Sequence, residues 1–351
     1  MNAMRDRLCT YLRGEISAVS VPPEVLVAAR HEGVFLLLAD RVGSTVFAAE
    51  LREAAAIDAL RTRELQTVLA ALGDADVRPV LLKGVAIAHT HYPRPELRPR
   101  SDTDLLIRAD TRDAVASVLL RLGYRRPLEI DGDVAIGQIH FIKTDAYGLE
   151  HALDVHWRLS NVRAFADVLS YDELAQTAIV ISPFGGRAWI PSLVHALLVA
   201  CIHRVAHHAD AMHLLWLFDV HLLAKSLSAA DRQAFVTLAS VKRVRAVCAR
   251  SLTLAQQAFG GVDLAWISSL TPANVAEEPT AAFVGGGMRQ VDILRSDLGA
   301  TSWQLKVQLL REHLFPTTSY MRDRYPGWPM LLLPLAYARR ILSGAPRWLQ
   351  R

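Results

Sequence analysis

Apolar residues recur at helical spacing through the first part of the chain. Met4, Leu8, Leu12 and Ile16 fall on one face, and the same period continues through residues 24–46 and 51–72. Pro22-Pro23 separates the first helix from the second. From Val77 the pattern changes to short strands alternating with short helices. Val80-Leu81-Leu82 reads as a buried strand, residues 85–91 as a short helix, and a loop rich in proline and arginine runs to Arg100. Residues 103–107 form the next strand, and Thr111 is placed to cap a helix over 114–122 that stops at Gly123. Strands follow at 138–143 and 149–159, joined by the turn Asp145-Ala146-Tyr147-Gly148. After Ser192 the helical period returns over 193–208, 231–259 and 301–314, with looser stretches at 271–279 and 285–287. The pattern predicts an α+β chain in three parts: a helical segment over 1–75, an α/β core over 76–190 and a helical domain over 191–351.

Chemistry concentrates where the period changes. Side chains alternate faces along a strand, so Asp102 and Asp104 point the same way and can share one cation or a cation pair. Oxygen ligands of this kind suit Mg²⁺ or Mn²⁺, ions that bind through one or two carboxylates together with substrate phosphates. An Asp-x-Asp pair also occurs as a solvated loop or a helix cap. The apolar run Leu105-Leu106-Ile107 behind it puts this pair at the mouth of a buried strand instead. Upstream, Gly84 lies between a strand and the start of a helix, where backbone N–H groups can hold phosphate, and Lys83 adds a compact positive charge. Arg98 and Arg100 flank the acids and can grip phosphate bidentately. Ser101 is placed either to contact phosphate or to cap the adjacent turn. Further on, Asp154 and His156 share one strand face, with Leu153, Val155 and Trp157 on the other. His156 is placed to bond phosphate, an acceptor or a neighbouring carboxylate.

These residues resemble a known family. Leu82-Lys83-Gly84, Tyr92-Pro93, Arg98 and Ser101-Asp102-Thr103-Asp104-Leu105-Leu106-Ile107 are similar to the signature of the uncharacterised nucleotidyltransferase family within the polymerase-beta-like superfamily. The block Leu153-Asp154-Val155-His156-Trp157-Arg158-Leu159 resembles that family's carboxylate-x-His-Trp strand. The stretch from Pro191-Ser192 through His203, His207-His208, Leu215-Trp216 and Phe218-Asp219-Val220-His221 resembles its helical part. Leu314-Phe315-Pro316-Thr317, Tyr320 and Tyr325 extend the likeness toward the C-terminus. The resemblance implies a small mixed-sheet nucleotidyltransferase core flanked by N-terminal helices and a C-terminal helical domain. It implies Asp102, Asp104 and Asp154 as metal-holding catalytic acids, with Lys83, Gly84, Arg98, Ser101 and His156 around the nucleotide. The activity implied is two-metal transfer of a nucleoside monophosphate from a nucleoside triphosphate, ATP first among them, with pyrophosphate leaving.

One departure matters. Superfamily members usually carry Gly-Ser or Gly-Gly in the phosphate turn, whereas here Val85 follows Gly84 and the gap to Asp102 is longer. Triphosphate binding then falls to Lys83 and backbone groups. The Lys-Gly form resembles toxin nucleotidyltransferases that modify tRNA, so the expected acceptors are a small molecule, a protein or tRNA. A nucleotide-binding or scaffold protein without turnover is the alternative on the same fold.

The remaining histidines suggest other chemistry less strongly. His203 and His207 stand four apart, a zinc-compatible spacing, but no HExxH glutamate or cysteine accompanies them. The helix carrying them is expected to form a lid or acceptor-side wall, with Asp219 as a buried partner for a histidine. His89 and His91 are expected to be exposed, and Arg243, Arg245 and Arg250 to form a basic face.

Composition adds limits. The 351 residues are 52% hydrophobic, ample for a core, and the net charge of +4 fits polyphosphate contact as well as plain solubility. Cys9, Cys201 and Cys248 form no CxxC pair and no even disulfide set, which points to a reducing cytoplasm. Arg5, Arg7, Arg13 and Glu15 interrupt any signal-peptide core, and no apolar stretch reaches the roughly 20 residues of a membrane helix. The segment 330–338 comes nearest, with Pro334 inside it and Arg339 and Arg340 beside it. It can sit on a membrane surface with those arginines as basic neighbours, but a packed helix is the expected form.

Overall fold

The computed structural model describes residues 3–16, 21–43, 45–127, 136–271, 278–286, 292–293, 299 and 303–348. The chain enters through α1 (Ala3–Arg13), α2 (Pro23–His31), α3 (Phe35–Val42) and the long α4 (Ala48–Asp74). The helical period read over 24–46 is thus cut in two. Gly33, at φ 68°, breaks it between α2 and α3.

The core follows as β1 (Val80–Leu82), α5 (Lys83–His91), β2 (Asp102–Leu106), α6 (Arg112–Arg121), β3 (Gln138–Thr144), β4 (Glu150–His156), α7 (Arg163–Ala166), α8 (Tyr171–Gln176), β5 (Ile179–Ile181) and β6 (Ala188–Ile190). The six strands form one mixed sheet in the order β3-β4-β2-β1-β6-β5. β2 runs parallel to β4 and antiparallel to β1, while β3 and β4 make a hairpin. At the hairpin turn Asp145 accepts the N–H groups of Tyr147 at 2.8 Å and Leu149 at 3.0 Å, which closes the loop as the sequence predicts. Thr111 stands before α6 but caps nothing, because its hydroxyl donates to the Arg108 carbonyl at 2.9 Å. β5 and β6, three residues each, are too short to show a period in the sequence.

Each face of the sheet has a distinct chemistry, set by strand alternation. One face is mostly apolar: Leu81, Leu105, Ile107, Phe141, Leu153 and Val155 pack under Leu65, Val68 and Leu69 of α4 and Val115 and Leu119 of α6, with Thr103, Lys143 and His151 toward one end of it. The other face is apolar at β1, at β6 and at the end of β2, where Val80, Leu82, Leu106 and Trp189 meet the helical layer. Toward β2, β4 and β3 it carries Asp102, Asp104, Asp154, His156 and His140. A row of polar groups on one side of a buried sheet is tolerated only where those groups have partners or a ligand.

The helical layer comprises α9 (Leu193–Ala206), α10 (Leu214–Ser226), α11 (Ala229–Val241), α12 (Arg245–Phe259) and α13 (Leu264–Ser269). The single helix expected over 231–259 is two, because Arg243 adopts φ 56° and turns the chain between α11 and α12. α1–α3 share one apolar core with α9, α10 and α12. Arg204, 0% exposed, is held there by Asp210 at 2.5 Å and by the Ser251 hydroxyl, and Arg250 bonds the same aspartate at 3.1 Å. Arg245 pairs with Glu278 at 3.3 Å. The expected basic face therefore does not form: two of its three arginines neutralise carboxylates. The three cysteines are buried and free. α14 (Trp303–Leu314), α15 (Thr318–Arg324) and α16 (Leu333–Trp348) complete the described chain. Thr301, residues 272–277 and Gly287, which belong to expected segments, lie outside the described residues. No helix among the described residues is long and apolar enough to cross a membrane.

Candidate active site

The acids are assembled by strand register. Asp104 stands directly opposite Asp154 across the parallel β2–β4 pair, Asp102 stands two residues earlier on the same face, and His140 stands opposite Asp154 from β3. Ligand atoms of Asp104, Asp154 and His156 lie within 4.8 Å of one another, the one group of this kind among the described residues. His203 and His207 form no comparable cluster there. His203 instead meets the His208 imidazole, nitrogen to nitrogen at 3.2 Å.

Asp104 is the most constrained acid. Lys83 Nζ and His156 Nε2 each lie 2.8 Å from its Oδ1. Burial alone would raise its pKa, but the Lys83 charge and the His156 bond hold it well below the ordinary carboxylate value. His156 therefore bonds a carboxylate, one of the three partners its sequence position allowed. Its other ring nitrogen, Nδ1, is buried without a partner among the described residues. Asp102 behaves oppositely: burial and then the charges of Asp104 and Asp154 push its pKa up. Too many negative charges for the cations at hand is the condition that a divalent ion relieves.

The turn after β1 carries local strain. Lys83 adopts φ 49°, the left-handed region, at a cost of about 1 kcal/mol or more for a residue with a Cβ. Persistent strain of this sort occurs where the surrounding structure requires a particular aim. Here the result is an ammonium 8% exposed and held on Asp104. The neighbouring Gly84 is needed for space: a Cβ built on it would lie 2.7 Å from Arg98 Nη1.

Arg98 is already engaged with a carboxylate. Its Nε and Nη2 donate to the Asp219 carboxylate at 2.9 and 2.6 Å, and Tyr92 Oη donates to the same group at 2.8 Å. The Asp219 charge outweighs burial and raises the Arg98 pKa. Asp219 thus serves an arginine and a tyrosine rather than a histidine. The pair ties the loop before β2 to α10. Arg100 is likewise engaged, 2.9 Å from Asp58 of α4, and Arg61 of the same helix donates to the Arg100 carbonyl. Ser101 is exposed at the head of β2. His89 and His91 are half-buried, with His89 edge-on to Phe184 at 4.9 Å and His91 Nδ1 2.6 Å from the Thr90 hydroxyl.

Gly84→Ala follows directly from this packing. The methyl cannot fit unless Arg98 moves off its partner, so the variant is expected to lose about 1–3 kcal/mol of stability. Urea unfolding measures this, and an unchanged midpoint would show that the guanidinium does not require the space.

Residues that sequence reasoning missed came from pairing. His140 Nδ1 bonds Asp154 Oδ1, and Gln138 Nε2 lies 3.3 Å from His140 Nε2. Nothing in the Gln138-Ile139-His140 segment marks it as chemical until the hairpin register sets it beside Asp154. Arg61 and Asp58 were similarly silent.

The C-terminal end of α9 adds an imidazole layer. His208 stacks on Trp216 at 3.7 Å, and His207 Nε2 is buried without a partner among the described residues. Burial, then the Lys83 charge, lower the pKa of His207 to about 3 and of His208 to about 4. The unfolded chain binds protons near the ordinary histidine value of 6.5, so stability is complete above that pH and is lost as pH falls toward 4. Each histidine contributes at most about 1.4 kcal/mol per pH unit in that window. Urea midpoints between pH 7 and pH 4 are expected to fall, and His207→Gln with His208→Gln is expected to flatten the slope. A slope that the double variant leaves unchanged would place the titrating groups elsewhere.

A separate cavity of about 960 Å³ borders Ile139 and Trp157, together with Val307 and Phe315, and Asp102, Asp104 and Asp154 are not in its lining.

The site is thus a mixed sheet with carboxylates on adjacent parallel strands beside a lysine–glycine turn. The family model described as uncharacterised nucleotidyltransferase matches residues 24–260. The chain belongs to that family. No curated protein matches it.

Proposed function

We propose that the chain transfers a nucleoside monophosphate from a nucleoside triphosphate, ATP foremost, to an acceptor hydroxyl or phosphate, releasing pyrophosphate. The observation that carries this reading is the convergence of Asp102, Asp104 and Asp154 on one sheet face, with Lys83 paired to Asp104. The donor set suits a divalent cation, Mg²⁺ or Mn²⁺, held by Asp102, Asp104 and Asp154 with His156 alongside. Such an ion supplies charge neutralisation on the triphosphate and a lowered pKa for the attacking hydroxyl.

The protein's own groups do the remainder. Lys83 exchanges Asp104 for the phosphates, and the backbone at Gly84 receives them at the start of α5. The acceptor oxygen bonds to the α-phosphorus as the bond to the bridging oxygen breaks. Its proton passes to Asp154, which His140 orients. Negative charge leaves with the pyrophosphate, where Lys83 stabilises it. Arg98 positions the phosphate turn by packing over Gly84 and touches no substrate. A small molecule, a protein or tRNA can offer the acceptor group.

Calorimetric titration of each triphosphate in the presence of Mg²⁺ or Mn²⁺ tests the reading. Metal-dependent binding that Asp102→Asn abolishes is the expected result. No triphosphate binding to the folded wild type with either ion would sink it. Because one donor is an imidazole nitrogen, Mn²⁺ is expected to bind several-fold more tightly than Mg²⁺, with the preference reduced in His156→Asn. Manganese titration followed by electron paramagnetic resonance reads this without turnover, and equal affinities would remove His156 from the donor set.

A further inference from the structure

The last helix and the turn before it carry an apolar stripe on the side that faces solvent. Leu331, Leu335 and Leu342 are 93%, 59% and 74% exposed. Leu335 and Leu342 are two helical turns apart on α16, and Arg339 lies between them on the same face. The opposite face is already used: Ala336 is 1% exposed, and Tyr337 Oη donates to the Pro316 carbonyl at 2.6 Å. The stripe is therefore a second apolar face, not a packing face in excess.

Its surroundings are positive. Arg322 and Arg324 on α15 and Arg339 on α16 are exposed, against a single acid, Asp323, in the sequence from 315 to 351. The Arg339 guanidinium lies 5.9 Å from the Trp328 ring, which stands immediately before the leucines and is 37% exposed. Apolar residues in line, an indole at their border and arginines around them are the properties of a helix that lies in the surface of an anionic bilayer, its leucines among the acyl chains and its arginines at the headgroups. A protein groove would satisfy the leucines but not account for the excess of arginine. The helix is too short and too charged to span.

We propose that α16, with the turn Trp328–Leu332 before it, docks the protein in plane on an anionic membrane surface. The docking is independent of the transferase reading, since the stripe is carried by residues outside the 24–260 matched to the family.

The test is co-sedimentation of the full-length chain with vesicles of phosphatidylcholine alone and of phosphatidylcholine mixed with phosphatidylglycerol. Binding is expected to the mixed vesicles only, to weaken as salt is raised, and to fall about tenfold or more in Leu331→Asp with Leu335→Asp. Arg339→Glu is expected to reduce it by several-fold. Both variants alter exposed positions, and circular dichroism confirms that they remain folded. Absence of binding to both vesicles overturns the proposal, as does equal, salt-independent binding to both. A dimer in light scattering that the leucine variant dissociates would assign the stripe to a second copy of the chain and would likewise overturn it.

Discussion

Asp104→Asn is expected to lower the stability of the metal-free protein by about 3 kcal/mol, the low end of the cost of removing one partner from a buried ion pair. The carboxylate that is lost receives both Lys83 Nζ and His156 Nε2, and the ammonium left behind is 8% exposed. Asparagine keeps an acceptor oxygen but not the charge. Because the Asp104 pKa is lowered by folding, its contribution is present above the unfolded value near 3.8 and is lost as pH falls through the lower folded value. The gap between wild type and variant is therefore expected to close in acid, below about pH 4. Triphosphate binding should fall by more than about a hundredfold, since even outer-shell partners of a metal site are worth 10–100-fold.

Asp102→Asn makes the contrasting case. Its pKa is raised by burial and by the neighbouring acids, so removing the charge relieves repulsion. The metal-free protein is expected to be unchanged or slightly more stable, while metal-dependent triphosphate binding is lost. Urea unfolding and calorimetry on both variants give the two signs. If both variants destabilise alike, the two carboxylates do not hold different roles.

The other large effect is expected at Asp219. With side chains 7% and 5% exposed, Arg98 and Asp219 form a buried pair that Tyr92 completes. Asp219→Ala leaves a guanidinium without its counter-charge, at a cost of about 3–5 kcal/mol. Replacing both members with apolar residues, Arg98→Met with Asp219→Leu, removes the charge along with its partner and is expected to recover most of that loss. Nucleotide binding should not recover with it, because Arg98 packs over Gly84 and sets the phosphate turn. A urea midpoint unchanged in Asp219→Ala would contradict the burial of the pair. Restored nucleotide binding in the double variant would show that the turn does not depend on Arg98.

What the chain's sequence determined by itself is local in origin. Period 2 along β2 and β4 put Asp102 with Asp104 and Asp154 with His156, because alternation follows from strand geometry alone. The apolar runs named the buried strands, and the motif residues Lys83-Gly84 and Asp102-x-Asp104 were legible because they lie close in sequence. Helix breaks were harder: the turn at Lys242-Arg243-Val244 contains no proline or glycine, and only Arg243's left-handed backbone reveals it. Partners distant in sequence were decided by tertiary structure. His140 meets Asp154 through hairpin register, Lys83 turns onto Asp104 through a strained backbone, and Arg98 is claimed by Asp219 from a helix 121 residues further on. An arginine beside an acidic motif has the same sequence whether it waits for phosphate or is already neutralised. Burial decides between these, because a desolvated charge must find its opposite, and burial is a property of the assembled fold.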